Sequence, residues 1–323
     1  MKKINWDKQN VLVTGGTGFI GANLAVALNK NGANVVVVER DSRSINSLKA
    51  LNKYNEITIV AGSISDASLM ERVFNEHDIN FCFHLAAQAI VGPANHSPLS
   101  TFEANIKGTW CVLEAARNAR NLKGVVVASS NKAYGVHEIL PYTEDFSLSG
   151  RFPYDASKVC TDVLAQSYIE TYDLPIAITR NANTYGPADL HPSRLIPSAI
   201  LAALKGEEFV IRSNGSMKRD YMHVQDAVEG YILLAECIDE PSVKGQAFNF
   251  GTGIPYSVLE VVSLIGDLVG GEKLPPVILG NTASEIPNQF LDVSKATNQW
   301  GWEARISLEE GLRSTIDWYK SFK

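Results

Sequence analysis

The chain has 323 residues, 45% of them hydrophobic and 20% charged, with a formal net charge of −6. This is the composition of a globular enzyme with room for two lobes, and it excludes disordered and fibrous classes. The mild acidity, without a long basic run, argues against nucleic acid or a membrane surface as partner. No apolar run reaches membrane-span length and no signal-peptide core follows Met1, so a cytoplasmic protein is expected.

Residues 10–21 read as a short buried strand, a glycine turn and the start of a helix. Gly15, Gly18 and Gly21 follow a G-x-x-G-x-x-G pattern. Gly15 turns the chain off the strand. Gly18, lacking a Cβ, lets a pyrophosphate approach the backbone. Gly21 lets the helix lie close to the sheet. With Thr17, Phe19 and Ile20 they form an anion-binding turn whose helix N-terminus offers free N–H groups. Residues 34–39 are a second strand ending in Glu39, at the spacing expected for a carboxylate that grips adenosine ribose hydroxyls. A carboxylate there repels a 2′-phosphate, so NAD is the expected cofactor. Arg40 and Arg43 follow. In the competing NADP reading one of them grips that phosphate; otherwise both are solvated loop charges.

A third strand, residues 57–62, delivers Ser63 and Ile64 beside the adenine. A fourth, 81–85, ends in Leu85-Ala86-Ala87-Gln88, small enough to let the backbone pass close to a cofactor. His84 is expected to pack under the sheet rather than act in chemistry. Residues 101–119 form a long amphipathic helix containing Asn105. A fifth strand, 124–128, delivers Ser129-Ser130-Asn131-Lys132, and Tyr154 through Lys158 opens another long helix. After a strand at 176–180 the strand–helix alternation breaks into short helices, prolines and isolated strands at 209–211 and 247–249. The fold class is therefore α/β: a Rossmann-type doubly wound parallel sheet with a smaller mixed α/β lobe. Residues 1–180 are expected to form the dinucleotide-binding domain and 181–323 the substrate lobe, with strands near 220 and 249 able to return to the first. The cysteines at 82, 111, 160 and 237 are scattered and read as reduced thiols, three of them buried.

Tyr154 and Lys158 lie one helical turn apart on one face. A lysine ammonium near a tyrosine hydroxyl stabilises phenolate. Tyr154 is then the base that takes a proton from a sugar hydroxyl while hydride leaves the same carbon. Ser130, at the neighbouring strand end, hydrogen-bonds that hydroxyl.

These residues, with Thr14 through Gly21, His84-Leu85-Ala86-Ala87, Tyr154-Asp155-Ala156-Ser157-Lys158, Arg180 through Pro187, and Arg219 through Val224, resemble the extended short-chain dehydrogenase/reductases of the nucleotide-sugar epimerase/dehydratase group. The likeness runs over nearly the whole chain. Ala86 through Gly92, Pro153-Tyr154-Asp155, Ile211-Arg212-Ser213 and Glu285 through Asp292 make it most similar to CDP-glucose 4,6-dehydratases. The resemblance implies an NAD-dependent dehydratase acting through transient oxidation at sugar C4. It also implies that Asn183 and Arg219 hold the nucleotide diphosphate, with Gln88, Arg194 and Arg212 nearby, although Arg194 and Arg212 also read as surface ion pairs. A homodimer is expected through helices 101–119 and 154–172, which carry apolar residues on more than one face. The departure is Asn131. Such dehydratases commonly carry an aspartate there to protonate the departing C6 hydroxyl, and asparagine has no ionisable proton. Lys132 suits the base that takes the C5 proton. The Ser-Asn-Lys-x-Tyr-Gly string also resembles CDP-sugar 2-epimerases, so an epimerase is the alternative. A third reading, an inactive NAD-binding protein, is opposed by intact Ser130, Tyr154 and Lys158.

Overall fold

A computed structural model describes residues 4–42, 45–270, 275–280 and 286–322. Arg43 and Glu285 lie outside the described residues. The first half runs β1 (Asn10–Thr14), α1 (Phe19–Lys30), β2 (Asn34–Glu39), α2 (Ser47–Ala50), β3 (Thr58–Ala61), α3 (Ala67–Glu76), β4 (Phe81–His84), α4 (Val91–His96), α5 (Pro98–Phe102), α6 (Gly108–Arg117), β5 (Gly124–Ala128), α7 (Pro153–Tyr172) and β6 (Ile176–Asn181). The second runs β7 (Asn183–Tyr185), α8 (Leu195–Lys205), β8 (Val210–Ile211), β9 (Lys218–His223), α9 (Val224–Glu236), β10 (Ala247–Phe250), β11 (Pro255–Ser257), α10 (Val258–Val269), β12 (Val277–Ile278), β13 (Asn288–Gln289), α11 (Ser294–Trp300) and α12 (Leu308–Ser321).

Seven parallel strands form the central sheet in the order β10-β6-β5-β4-β1-β2-β3. Strands such as Gly124-Val125-Val126-Val127-Ala128 are buried along their whole length, because helices cover both faces of the sheet. Strand order reverses between β1 and β4, and the crevice outside the carboxyl ends of those strands is where such sheets take ligands. One apolar cluster, including Val11, Leu24, Phe83, Tyr231 and Phe248, lies on one side of the sheet. A second, including Leu12, Val36, Phe74, Val112 and Ile178, lies on the other.

The strand at 247–250 is not isolated. It pairs with β6 at the edge of the central sheet. The strand near 220 stays outside that sheet: β9 pairs with β7, β11 and β13 in a four-stranded sheet. Polar side chains in β9 hid this difference in the sequence. A third core, with Tyr185, Ile200, Val261 and Leu312, lies beneath these elements. The helix expected at 101–119 begins earlier, with Pro98 at its first position. Residues Glu103–Lys107 form one π-helical turn between α5 and α6. Among the described residues no helix is long and apolar enough to cross a membrane.

Candidate functional site

The glycine turn meets β4 across the crevice. Gly15 has φ +72°, and a Cβ there would lie 2.8 Å from the Ala86 nitrogen, so only glycine serves. Thr14 ties the two strand ends together: its carbonyl accepts from Leu85 N at 3.2 Å and its hydroxyl accepts from Ala86 N at 3.2 Å. Ala87 is half-buried beside them. Gly18 is exposed and caps α1 without any side-chain hydrogen bond. The first-turn amides, at Phe19 and Ile20, are thus uncapped at the mouth of the crevice, which fits a pyrophosphate. Thr17 is half-buried in the turn, and Gly21 is buried one turn further on.

Glu39 ends β2 as a buried carboxylate. Arg40 turns away and pairs with Asp41 at 2.8 Å, with its side chain 60% exposed. Ser63 bonds Ser65 at 2.8 Å, and Ile64 is buried under α6. These placements suit an adenosine with free ribose hydroxyls.

His84 is structural, as expected. Its ring nitrogens meet Thr14 Oγ1 at 2.8 Å and Thr109 Oγ1 at 3.0 Å. Burial, with a smaller contribution from Lys158, lowers its pKa to about 3, so it stays neutral. Asn105 lies in the π-turn. Its Oδ1 accepts from Gln88 N at 2.7 Å, and its Nδ2 donates to Gln88 O at 3.2 Å and Ser157 Oγ at 2.8 Å. The π-turn so locks the loop bearing Gln88 onto α7; such bulges recur at functional sites.

Ser130, Asn131, Lys132, Tyr154 and Lys158 converge at the ends of β5 and α7. The fully buried β5 leads into Ser130 two residues beyond its C-terminal end, and Pro153 starts α7, whose first turns carry Tyr154 and Lys158. Burial raises the Tyr154 phenol above its ordinary value; a hydrogen bond with Ser130 and the charge of Arg194 act the other way. Lys158 is buried. Its Nζ donates to Ala128 O at 2.6 Å and stands 6.0 Å from the Tyr154 ring centre. Burial lowers its pKa to about 8, with Asp162 opposing. In the protein alone desolvation is the largest influence on the Tyr154 phenol, and Ser130 and Arg194 oppose it.

Asn131 is 1% exposed. Ser130 Oγ donates to its Oδ1 at 3.4 Å, and its carbonyl accepts from Gln289 Nε2 at 3.0 Å. Asn131 Nδ2 and Gln289 Oε1 are buried and have no hydrogen-bond partner among the described residues. An unfilled donor and an unfilled acceptor beside Ser130 suit a polar ligand group. Lys132 is half-buried and its charge acts on Asp155, whose carboxyl burial pushes up to about 6.

The expected substrate residues are spread more widely. Asn183 is half-buried in β7. Arg194 lies 5.7 Å from the Phe19 ring, pairs with Asp189 at 3.1 Å and influences Tyr154, so it stands at the site. Arg219 is buried and donates to the carbonyls of Lys218 and Pro287 at 2.9 and 3.0 Å. Arg212 is exposed just beyond β8, in a separate two-stranded sheet. Sequence reasoning gave no role to Asn46, Tyr54, Asp155 or Gln289, although the last two fall within strings that carry the resemblance; burial and contacts reveal what they touch.

A buried ion pair supports the floor of the site. Arg180 reaches Asp162 at 2.9 Å and Tyr134 Oη at 3.1 Å, and Ser129 donates its hydroxyl to Asp162. Tyr134 donates in turn to Asn249 at 2.7 Å. Replacing Arg180 by Met should cost about 3–5 kcal/mol, because Asp162 would remain buried and unpaired. Urea unfolding measures this, and a loss below about 1 kcal/mol would show that the pair behaves as a solvated one.

A family model described as GDP-mannose 4,6 dehydratase matches residues 12–315. The UDP-glucose 4-epimerase of Bacillus subtilis is 33% identical, over 96% of this chain and 97% of that protein. The CDP-glucose 4,6-dehydratase of Salmonella typhimurium is 30% identical, over 98% of this chain and 92% of that one. The crystal structure of a dTDP-glucose 4,6-dehydratase from Bacillus anthracis in complex with NAD superposes with a TM-score of 0.84, at 28% identity, covering 97% of each chain.

Proposed function

The chain belongs to the GDP-mannose 4,6-dehydratase family of extended short-chain dehydrogenase/reductases, which embraces nucleotide-sugar 4,6-dehydratases and 4-epimerases, and from that premise we propose that it is an NAD-dependent nucleotide-diphospho-sugar dehydratase resembling CDP-glucose 4,6-dehydratase. The observation that carries the reading is the convergence of Ser130, Tyr154 and Lys158 beside the uncapped helix N-terminus of the glycine turn. NAD supplies the hydride acceptor when bound. Gly18, Phe19 and Ile20 take its pyrophosphate and Glu39 its ribose. Tyr154 accepts the proton of the sugar C4 hydroxyl, and Ser130 orients that hydroxyl. Lys132 takes the C5 proton once C4 is a ketone; the C6 hydroxyl then leaves as water with a proton drawn from solvent, and return of the hydride to C6 and a proton to C5 completes the 4-keto-6-deoxy sugar. Arg194, Arg219 and Asn183 hold the diphosphate, guanidinium and amide donors being suited to it.

A second reading has its own support. Asn131 is buried and its Nδ2 has no partner among the described residues; it is suited to hold a hydroxyl by hydrogen bonding and has no proton to give a leaving group. That favours an epimerase, in which the sugar keeps its hydroxyls. Incubation with a panel of CDP-, UDP-, dTDP- and GDP-sugars separates the readings. A 4-keto-6-deoxy product supports the dehydratase, and a product of unchanged mass and altered stereochemistry supports the epimerase. No conversion by NAD-loaded protein would reject both.

The rate should also depend on pH. Lys158, with its pKa at about 8, is cationic below that value and neutral above it. Activity is expected to fall as pH rises through about 8. A profile flat well above that point would remove the ammonium from the mechanism. The homodimer through α6 and α7 belongs to the same proposal, since Trp110 and Val163 on these helices are 43% and 60% exposed. Light scattering at micromolar concentration should give twice the chain mass; a monomer would reject that contact.

A further inference from the structure

The segment between β2 and β3 makes contacts that the reaction above does not use. Asn46 Nδ2 donates to Glu39 Oε1 at 2.9 Å, and the Tyr54 hydroxyl donates to Glu39 Oε2 at 2.7 Å. Glu39 is 5% exposed and Asn46 9%. The holders are themselves held. Asn46 Oδ1 accepts from Lys49 N at 2.9 Å, and Lys49 Nζ lies 4.7 Å over the Tyr54 ring. Ser47 N donates to Thr17 O at 3.2 Å, which ties the segment to the glycine turn itself.

An ionised carboxylate has about four lone-pair sites. Asn46 and Tyr54 use one on each oxygen and leave the others for a ligand. We propose that Asn46 and Tyr54 clamp the Glu39 carboxylate in the orientation that receives the adenosine ribose hydroxyls, and that this clamp, as well as the charge on Glu39, sets the preference for NAD over NADP. The inference rests on the reading that NAD lies along the glycine turn. An unrestrained glutamate has rotamer freedom to swing toward solvent and relieve its repulsion with a 2′-phosphate. A clamped one stays where the phosphate would go, so the repulsion persists. It also meets the ribose hydroxyls without losing further side-chain entropy, so preorganisation favours NAD. The Glu39 hydrogen bond is the leading cause that raises the Tyr54 pKa, in keeping with a phenol that donates to the carboxylate. Arg40, the near cation in sequence, is paired with Asp41.

The test is calorimetric titration of cofactor-stripped protein with NAD and with NADP. Wild type, Tyr54→Phe, Asn46→Ala, the double variant and Glu39→Gln are compared, with thermal melting to verify folding. The double variant should bind NAD about tenfold more weakly, at the scale of hydrogen bonds to a charged group, and bind NADP equally well or better. Each single variant should show a smaller shift in the same direction. If both cofactors weaken equally and their ratio is unchanged, the segment has only a structural role and the clamp is wrong. If Glu39→Gln collapses the preference while the double variant keeps it, the clamp is again wrong, but Glu39 stays at the ribose. If Glu39→Gln leaves the preference intact, the carboxylate is not at the ribose, and the cofactor placement falls with the clamp.

Discussion

Tyr154→Phe should lower turnover by about 10²–10⁴-fold, the usual worth of a positioned general base, while folding and NAD binding persist. The substitution removes one oxygen and keeps the ring. Its partner in the protein is the Ser130 hydroxyl, which also meets Asn131 Oδ1 and Lys132 N. No buried charge is left unpaired, so stability should change little. Burial raises the phenol above its ordinary value, so the free protein holds Tyr154 protonated. The proton must therefore leave as substrate and the oxidised nicotinamide change the local charge. Single-turnover measurement of NADH absorbance with the active nucleotide sugar reads this step directly. A variant with near-normal rate would move the base to another group. Asp155, which acts electrostatically on Tyr154 and has its own pKa pushed to about 6 by burial, would be next to test.

Asn131→Asp should raise 4,6-dehydratase activity by about 10²–10⁴-fold, because it places a general acid where the resemblance to such dehydratases implies one. The swap is nearly isosteric, so packing around the 1%-exposed side chain survives. Burial favours the neutral form of a carboxyl, and a neutral carboxyl is what a departing hydroxyl needs. In the proposed reaction Lys132, next in sequence, remains as the C5 base. Both proteins are assayed on CDP-glucose, with other nucleotide glucoses and mannoses as controls, for a 4-keto-6-deoxy product. If the wild type already eliminates water efficiently and the variant gains nothing, the acid lies elsewhere. If the wild type inverts a stereocentre and the variant loses that activity, the epimerase reading replaces the dehydratase one.

The nucleotide-binding half was legible because its signals are local. Hydrophobic runs such as Asn34-Val35-Val36-Val37-Val38-Glu39 can only be strands buried on both faces, and the glycine spacing at 15, 18 and 21 has a backbone reason at each position. Tyr154 and Lys158 were legible for a similar reason: four residues on a helix make one face. The strand at 247–250 was visible as a strand but not as part of the central sheet. Its partner, β6, ends 66 residues earlier, and no local pattern encodes pairing at that distance. The π-turn at Glu103–Lys107 was equally silent, since an apolar stripe survives one inserted residue.

The α/β class, the glycine turn, the acid at 39 and the proposed Ser130–Tyr154–Lys158 set were readable from the chain, each carried by a short spacing with a steric or electrostatic reason. What surrounds them follows from the folded arrangement. It decided that Arg40 turns to Asp41 while Asn46 and Tyr54 take Glu39. It brought Gln289 across from β13 to the carbonyl of Asn131 and put Asp162 beneath Ser129 against Arg180. These partners are polar residues in unremarkable stretches of sequence. Their roles come from desolvation, which makes each buried donor and acceptor seek a counterpart, and desolvation exists only once the chain has folded.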